Sequence, residues 1–191
     1  RLAEGITMTG QLVIRDTAKA LDKYVNKVCG TEDQQYSFYS DTDSCYVTLD
    51  NMVKNFFPDK SKDQVIGLID KIASEKIEPA IDQAMQKLAN YTNAFEKKID
   101  FKREIIADKG IFVAKKRYAL NVYDDEGLRL KEPKLKVMGL EIVRSSTPGV
   151  IRDSLREAVR LILTSDEETL QTYVADAKED FLSKSAEEIA F

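Results

Sequence analysis

The sequence predicts an α+β protein with antiparallel sheet. Three observations carry this. Two stretches show apolar residues at helical spacing. Two short runs, 36–40 and 45–49, alternate and are rich in Tyr, Phe, Val and Thr. Strands and helices follow one another without the βαβ spacing that a parallel sheet needs. At 191 residues the chain is long enough for one good core, or for one domain and part of a second.

The elements follow in order. Leu12, Val13, Leu21, Tyr24, Val25 and Val28 predict a helix over 6–29, with Gly30 as its stop. The two alternating runs with SDTD between them predict a β-hairpin. NFFPDKSKD reads as a loop. Val65, Leu68, Ile69, Ile72, Ile77, Ile81, Met85 and Leu88 predict a long helix over 62–94. Pro79 has no amide hydrogen and is expected to kink or split it. IDFKREIIA and GIFVAKKRYALNVYD predict two strands with Gly110 near their connection, and DEG at 125–127 a turn before a short strand at 128–131. EPKLKVMGLEIV reads as extended or loop-like. Thr147 as N-cap and Pro148 in the first turn predict the next helix, and Leu170, Tyr173, Val174, Ala177 and Phe181 predict an amphipathic one over 166–181. Strands give way to helices near 145, which is the expected domain boundary. Phe56, Phe57, Tyr91 and Phe95 are expected in the core.

Composition narrows the chemistry. Apolar residues make up 43% and charged residues 32%, as in soluble globular proteins, and no apolar run is long enough to span a membrane. The chain contains no histidine, which removes Ser-His and Cys-His catalysis and His-ligated zinc. Cys29 and Cys45 read as two buried thiols in a reducing, cytoplasmic setting. The start RLAEG lacks Met and reads as though cut from something longer. Net charge is −4, but residues 101–144 hold 11 Lys and Arg against 7 Asp and Glu, while residues 145–191 hold 5 against 10. A basic middle can mark a nucleic-acid face or a solvated strand surface.

Asp41 and Asp43 stand two apart at the hairpin tip. Side chains at i and i+2 can project to one side, and two close carboxylates ionise cheaply only beside a cation. Mg²⁺ prefers such hard oxygen ligands, and a metal pair can serve phosphoryl transfer. Asp and Ser are also ordinary turn residues, so a plain acidic turn stands beside the metal reading. The spacing excludes an EF-hand, since its Gly and Glu positions hold Tyr46 and Met52.

YSDTDS at 39–44 resembles the YGDTDS motif C hairpin in the palm of family B DNA polymerases. KKRY at 115–118 resembles the family's Lys-x-Tyr element. CGTED, EPAID, KKRYALNVYDDEG, EPKLKVMGLE and SSTP, in that order, are similar to the replicative polymerases of T-even-type bacteriophages. The resemblance covers nearly the whole chain and weakens after about residue 165.

It implies the C-terminal part of a palm over 1–145, with an antiparallel sheet and a catalytic hairpin, and the helical start of a thumb over 146–191. It implies Asp43 as a metal-ligating aspartate, Asp41 as its companion and Glu104 as a third carboxylate near the metal. Tyr39 is the motif C aromatic. Lys115, Lys116, Arg117 and Tyr118 are implied as primer contacts, with Lys116 also in the catalytic set, and Arg144 as a further DNA contact. Asp124 is implied in the catalytic set, although YDDEG by itself reads as a turn. The implied cofactor is Mg²⁺ in a two-metal site completed outside this chain. The implied partners are primer-template DNA, dNTP and a sliding clamp, in a host cytoplasm for a phage-encoded protein.

Ser40 stands where the family pattern has Gly, and the link before KKRY is short. No DxxSLYPS-like motif A, fingers lysine motif or exonuclease domain is found in the chain, so it is expected not to polymerise alone. Alternation on a predicted strand places Lys116 and Tyr118 on one face and Lys115 and Arg117 on the other. The alternative reading is a non-catalytic DNA-binding module with a structural acidic turn. A DxD-type phosphohydrolase is a weaker third.

Overall fold

Apolar residues at helical spacing wind Leu2–Cys29 into one helix, α1. It ends where Gly30 takes φ +65° and the Thr31 amide bonds back to the Asn26 carbonyl, the six-residue closure that satisfies a helix end. From Val13 onward it carries the core residues Val13, Leu21 and Val25, whereas Leu2, Ile6, Met8 and Leu12 are exposed. A computed structural model of the chain describes residues 2–189. They fall into two compact units divided between Glu104 and Ile105.

In the first unit, β1 (Ser37–Asp41) and β2 (Ser44–Val47) form the expected antiparallel hairpin. A short helix, α2 (Asp50–Phe56), follows and α3 (Lys62–Ile72) begins on a reciprocal Ser61–Gln64 capping box. Thus NFFPDKSKD is only partly loop, since α2 takes its first two residues.

Helix α3 runs through a π-helical turn at Ala73–Ile77 into α4 (Glu78–Tyr91). The Glu78 amide bonds to the Ala73 carbonyl, five residues back. Pro79 sits in the first turn of α4, just after this widened turn. The widened turn serves the core. At about 100° per residue, a stripe of residues spaced by four from Ile69 to Met85 would drift by about 160° around a regular helix. One residue absorbed by the π turn removes about 100° of that drift. Ile69, Ala73, Ile77, Ile81 and Met85 are accordingly all buried. Val13 and Leu21 pack against Ile77, Ile81, Met85 and Leu88, with Phe101 alongside. Phe56, Tyr91 and Phe95 are exposed rather than core. Phe56 and Tyr91 each close a helix, and Phe95 lies in the loop beyond Tyr91.

The second unit holds a three-stranded antiparallel sheet in the order β3 (Ile105–Ala114), β4 (Arg117–Asp125), β5 (Leu128–Met138). Three expectations change here. Gly110 lies inside β3, where an added Cβ would stand 2.6 Å from a Leu120 methyl, and is not the connection. Residues 128–138 form one long strand, and Pro133 is tolerated because β5 is an edge. Residues 99–104 join no sheet ladder.

Helix α5 (Gly149–Thr164) packs Leu163 and Val159 on Ala119 and Leu140. It is capped at Pro148, one residue later than expected, because the Thr147 hydroxyl donates to the Glu141 carbonyl instead. Helix α6 (Glu167–Ser183) is capped by Asp166, and a short α7 (Ala186–Ile189) follows.

Candidate active site

The acidic hairpin is held at its root by α1. Asp22 accepts hydrogen bonds from the Tyr36 amide at 2.9 Å, the Ser37 amide at 2.6 Å and the Ser37 hydroxyl at 2.8 Å. Asn26, one turn further along α1, accepts from the Thr31 hydroxyl and the Gln34 amide and donates to the Gln34 carbonyl. Tyr36 and Ser37 are buried, so their polar groups depend on these partners. β1 therefore leaves α1 at a fixed point and direction. Sequence reasoning missed Asp22, because its partners lie fourteen and fifteen residues away.

At the far end, Asp41 closes the strand opposite Ser44, and Thr42 and Asp43 make the two-residue turn. Thr42 takes φ +25°, and its hydroxyl donates to the Asp41 carboxylate at 3.1 Å. Ser40 does not adopt positive φ, which explains why the backbone accepts it in place of Gly. Tyr39 packs edge-to-face on its cross-strand partner Tyr46, with ring centroids 5.5 Å apart. Beside Ser40 across the strands is Cys45, a free, half-buried thiol. Burial, reinforced by the Asp22 charge, pushes it up to about 11.

Asp43 and Glu104 line one cleft of about 960 Å³. Its other wall is a single face of α1, made by Leu2, Gly5, Ile6, Thr9, Gly10 and Val13. Among the described residues, neither the Asp43 nor the Glu104 side chain has a hydrogen-bond or ion-pair partner. Asp100 also lines the cleft but is engaged by Lys97 at 2.5 Å, which holds its carboxyl below the usual range. Hard, uncommitted oxygen donors facing a shared cleft fit a divalent cation such as Mg²⁺. No group of three or more candidate ligands is assembled among the described residues.

The remaining sites implied by the sequence lie in the second unit. Lys115 and Lys116 form the β3–β4 turn rather than a strand, so the expected alternation of faces does not apply. Both are exposed, and Lys116 takes φ +60°. Tyr118 is buried with its ring stacked on Phe112. One Arg117 guanidinium nitrogen contacts both Glu141 oxygens, at 2.7 and 2.9 Å, while its Nε is buried without a partner. Arg144 approaches the same carboxylate at 4.0 Å. The Glu141 carboxyl is held below its ordinary value by its own backbone amide, with help from Arg117 and Arg144.

Gly139 lies against this turn. It takes φ +65°, and an added Cβ would fall 2.0 Å from the Lys116 carbonyl oxygen. Only glycine meets both demands, which locks the MGLE segment to KKRY. Asp124 is buried, accepts from the Gly127 amide at 3.0 Å and pairs with Arg129 at 3.3 Å. Its carboxylate therefore organises the β4–β5 turn.

Comparison with known proteins decides the family. The sequence profile described as "Divergent Family B DNA polymerase" matches residues 31–177. The chain belongs to this family. It is similar to the DNA-directed DNA polymerase of Enterobacteria phage T4, 39% identical over 191 residues, which covers 95% of this chain and 21% of the relative. It is similar also to that of Escherichia phage RB69, 40% identical over 177 residues, covering 87% of this chain and 20% of the relative. This family B segment thus spans about a fifth of the length of these curated relatives. No described helix is long and apolar enough to cross a membrane.

Proposed function

We propose that this chain is a segment of a DNA-directed DNA polymerase and carries part of its nucleotidyl-transfer site. The observation that carries this reading is that Asp43, at the tip of a hairpin anchored by Asp22, shares one cleft with Glu104, and that neither carboxylate has a partner among the described residues. The reaction is attack of a primer 3′-hydroxyl on the α-phosphate of a dNTP with release of pyrophosphate. Such chemistry needs positioning and charge neutralisation more than a titrating base, which suits a chain without histidine.

Asp43, Asp41 and Glu104 would hold Mg²⁺, together with carboxylates from outside this chain. Bound there, the metal supplies charge neutralisation for the phosphates and the developing oxyanion. The residues present do three things. They fix the donor oxygens through a hairpin rooted on α1. They line one side of the cleft with apolar helix surface. They leave Asp43 and Glu104 uncommitted.

Lys115 and Lys116 are assigned to the phosphates of primer-template DNA, because the turn exposes both. Arg117 and Arg144 are assigned to the same partner around Glu141. Tyr118 is assigned to holding the turn through its ring, and Asp124 to a turn role. The palm-to-thumb division near 145 and a sliding clamp partner remain part of the proposal, on resemblance alone.

The test is primer extension by the intact polypeptide that carries this chain. Asp43→Asn is expected to lower incorporation at least about 1,000-fold, on the several kcal/mol that a catalytic metal supplies. Primer-template affinity is expected to stay within about twofold. A variant that extends primers at the parental rate refutes the assignment and leaves the DNA-binding module with a structural acidic turn.

A further inference from the structure

Residues 97–104 carry Glu104 to the cleft, yet they join no sheet ladder and have no helical hydrogen bonds. Something else must fix them. Three acidic residues on the α3–α4 helix contact this segment. Asp82 binds Lys97 at 2.5 Å. Glu78 takes Lys102 at 3.1 Å through one oxygen and the Arg103 amide at 3.0 Å through the other. Asp70 pairs with Arg103. Phe101, between these contacts, packs on the Ile77–Ile81–Met85 cluster.

The spacing of the acidic residues is wrong for a regular helix. At about 100° per residue, Glu78 would lie about 80° around the axis from Asp70, and Asp82 about 120°. One straight segment could not reach all three. The π turn at Ala73–Ile77 absorbs one residue between Asp70 and Glu78. Both angles then fall to about 20°, on either side of Asp70. The lengths also agree. Twelve helical residues from Asp70 to Asp82 rise about 18 Å, and the six residues from 97 to 103 can span up to about 20 Å.

We propose that the π turn is a register device that aligns Asp70, Glu78 and Asp82 into one acidic stripe, which clamps residues 97–103 and so sets Glu104 in the cleft. Asp70, Glu78 and Asp82 are positioning residues under this inference. Its functional half rests on the reading of Glu104 as a metal-site carboxylate, whereas the clamp does not.

The experiment is residue-resolved amide hydrogen exchange on the intact polypeptide, combined with the Mn²⁺ dependence of primer extension. Asp70→Arg is expected to speed exchange over 98–105 at least about 10-fold, while amides in the core half of α1 change less than about twofold. The double variant Asp70→Arg/Arg103→Asp restores the contact with reversed sign and is expected to restore protection. Deletion of Lys76, an exposed residue of the π turn, is expected to speed exchange over 98–105 as much as Asp70→Arg does. Unchanged exchange in Asp70→Arg, or a double variant no better protected than the single, overturns the clamp. A Lys76 deletion that folds and keeps 98–105 protected overturns the register role of the π turn.

The activity arm separates the two readings. With the clamp released, the Mn²⁺ concentration for half-maximal extension is expected to rise at least about fivefold, and to return in the double variant. Faster exchange with an unmoved metal requirement keeps the clamp and removes Glu104 from the metal site.

Discussion

Asp22→Ala isolates the anchor of the acidic hairpin. The substitution removes the acceptor for two backbone amides and one hydroxyl, two of them at 2.6 and 2.8 Å. A hydrogen bond to a charged group contributes about 1.5–3 kcal/mol, and a buried donor left unpaired costs about 1–3 kcal/mol. One carboxylate serves all three donors, so the contributions do not add fully, and a total loss of about 3–5 kcal/mol is expected. Asp22→Asn keeps an oxygen for the two amides and an NH₂ group for the Ser37 hydroxyl, so its cost is expected at about 1 kcal/mol. Urea unfolding of both variants measures the difference, with m unchanged if only native contacts are lost. Exchange of the Tyr36 and Ser37 amides localises it. Equal stability of Ala and Asn variants, or a loss below about 0.5 kcal/mol in both, refutes the view that this carboxylate roots the hairpin.

Three further outcomes follow from other sites. The Cys45 thiol, raised from 9.0 to about 11, holds roughly 100-fold less thiolate near pH 8 than an ordinary cysteine. Its alkylation is therefore expected to be slow and to keep rising with pH past 9, and Asp22→Asn is expected to speed it; a rate plateau near pH 9 contradicts this. Gly139→Ala places a methyl group on the Lys116 carbonyl in a left-handed backbone, and is expected to cost more than about 3 kcal/mol in thermal unfolding; a Tm within about 2 °C of the parent contradicts it. Glu141→Gln frees Arg117 and Arg144 from a shared carboxylate, so primer-template affinity is expected to rise about two- to fivefold at low salt and the gain to shrink as salt increases; a loss of affinity at every salt concentration speaks for a structural ion pair.

The hairpin was legible because period-two alternation and turn residues coincide at 36–49. The core stripes of α1 and α4 were legible from aliphatic spacing. Pro79 announced a disturbance in the long helix, but a proline does not specify a π turn, whose sign lies in the spacing-by-four of the buried residues around it. The Lys115–Lys116 turn was hidden because neither residue carries turn chemistry, and its tightness depends on Gly139 more than twenty residues later. Helix α2 was masked by the proline and polar residues that follow it. Of the candidate site, Asp41, Asp43 and Glu104 are assigned through family resemblance. The carboxylates that hold them in place, Asp22, Asp70 and Glu78, were not, because their role exists only in partners distant along the chain.

The central claim is that Asp43 ligates a metal that the polymerase reaction requires. Single-turnover incorporation of one nucleotide, measured across a Mg²⁺ and Mn²⁺ titration in the intact polypeptide, tests it most directly. Asp43→Asn is expected to abolish incorporation at all metal concentrations with Mg²⁺ and to leave at most a trace with Mn²⁺, while DNA binding persists. Parental rates and an unshifted metal requirement in that variant would contradict the account.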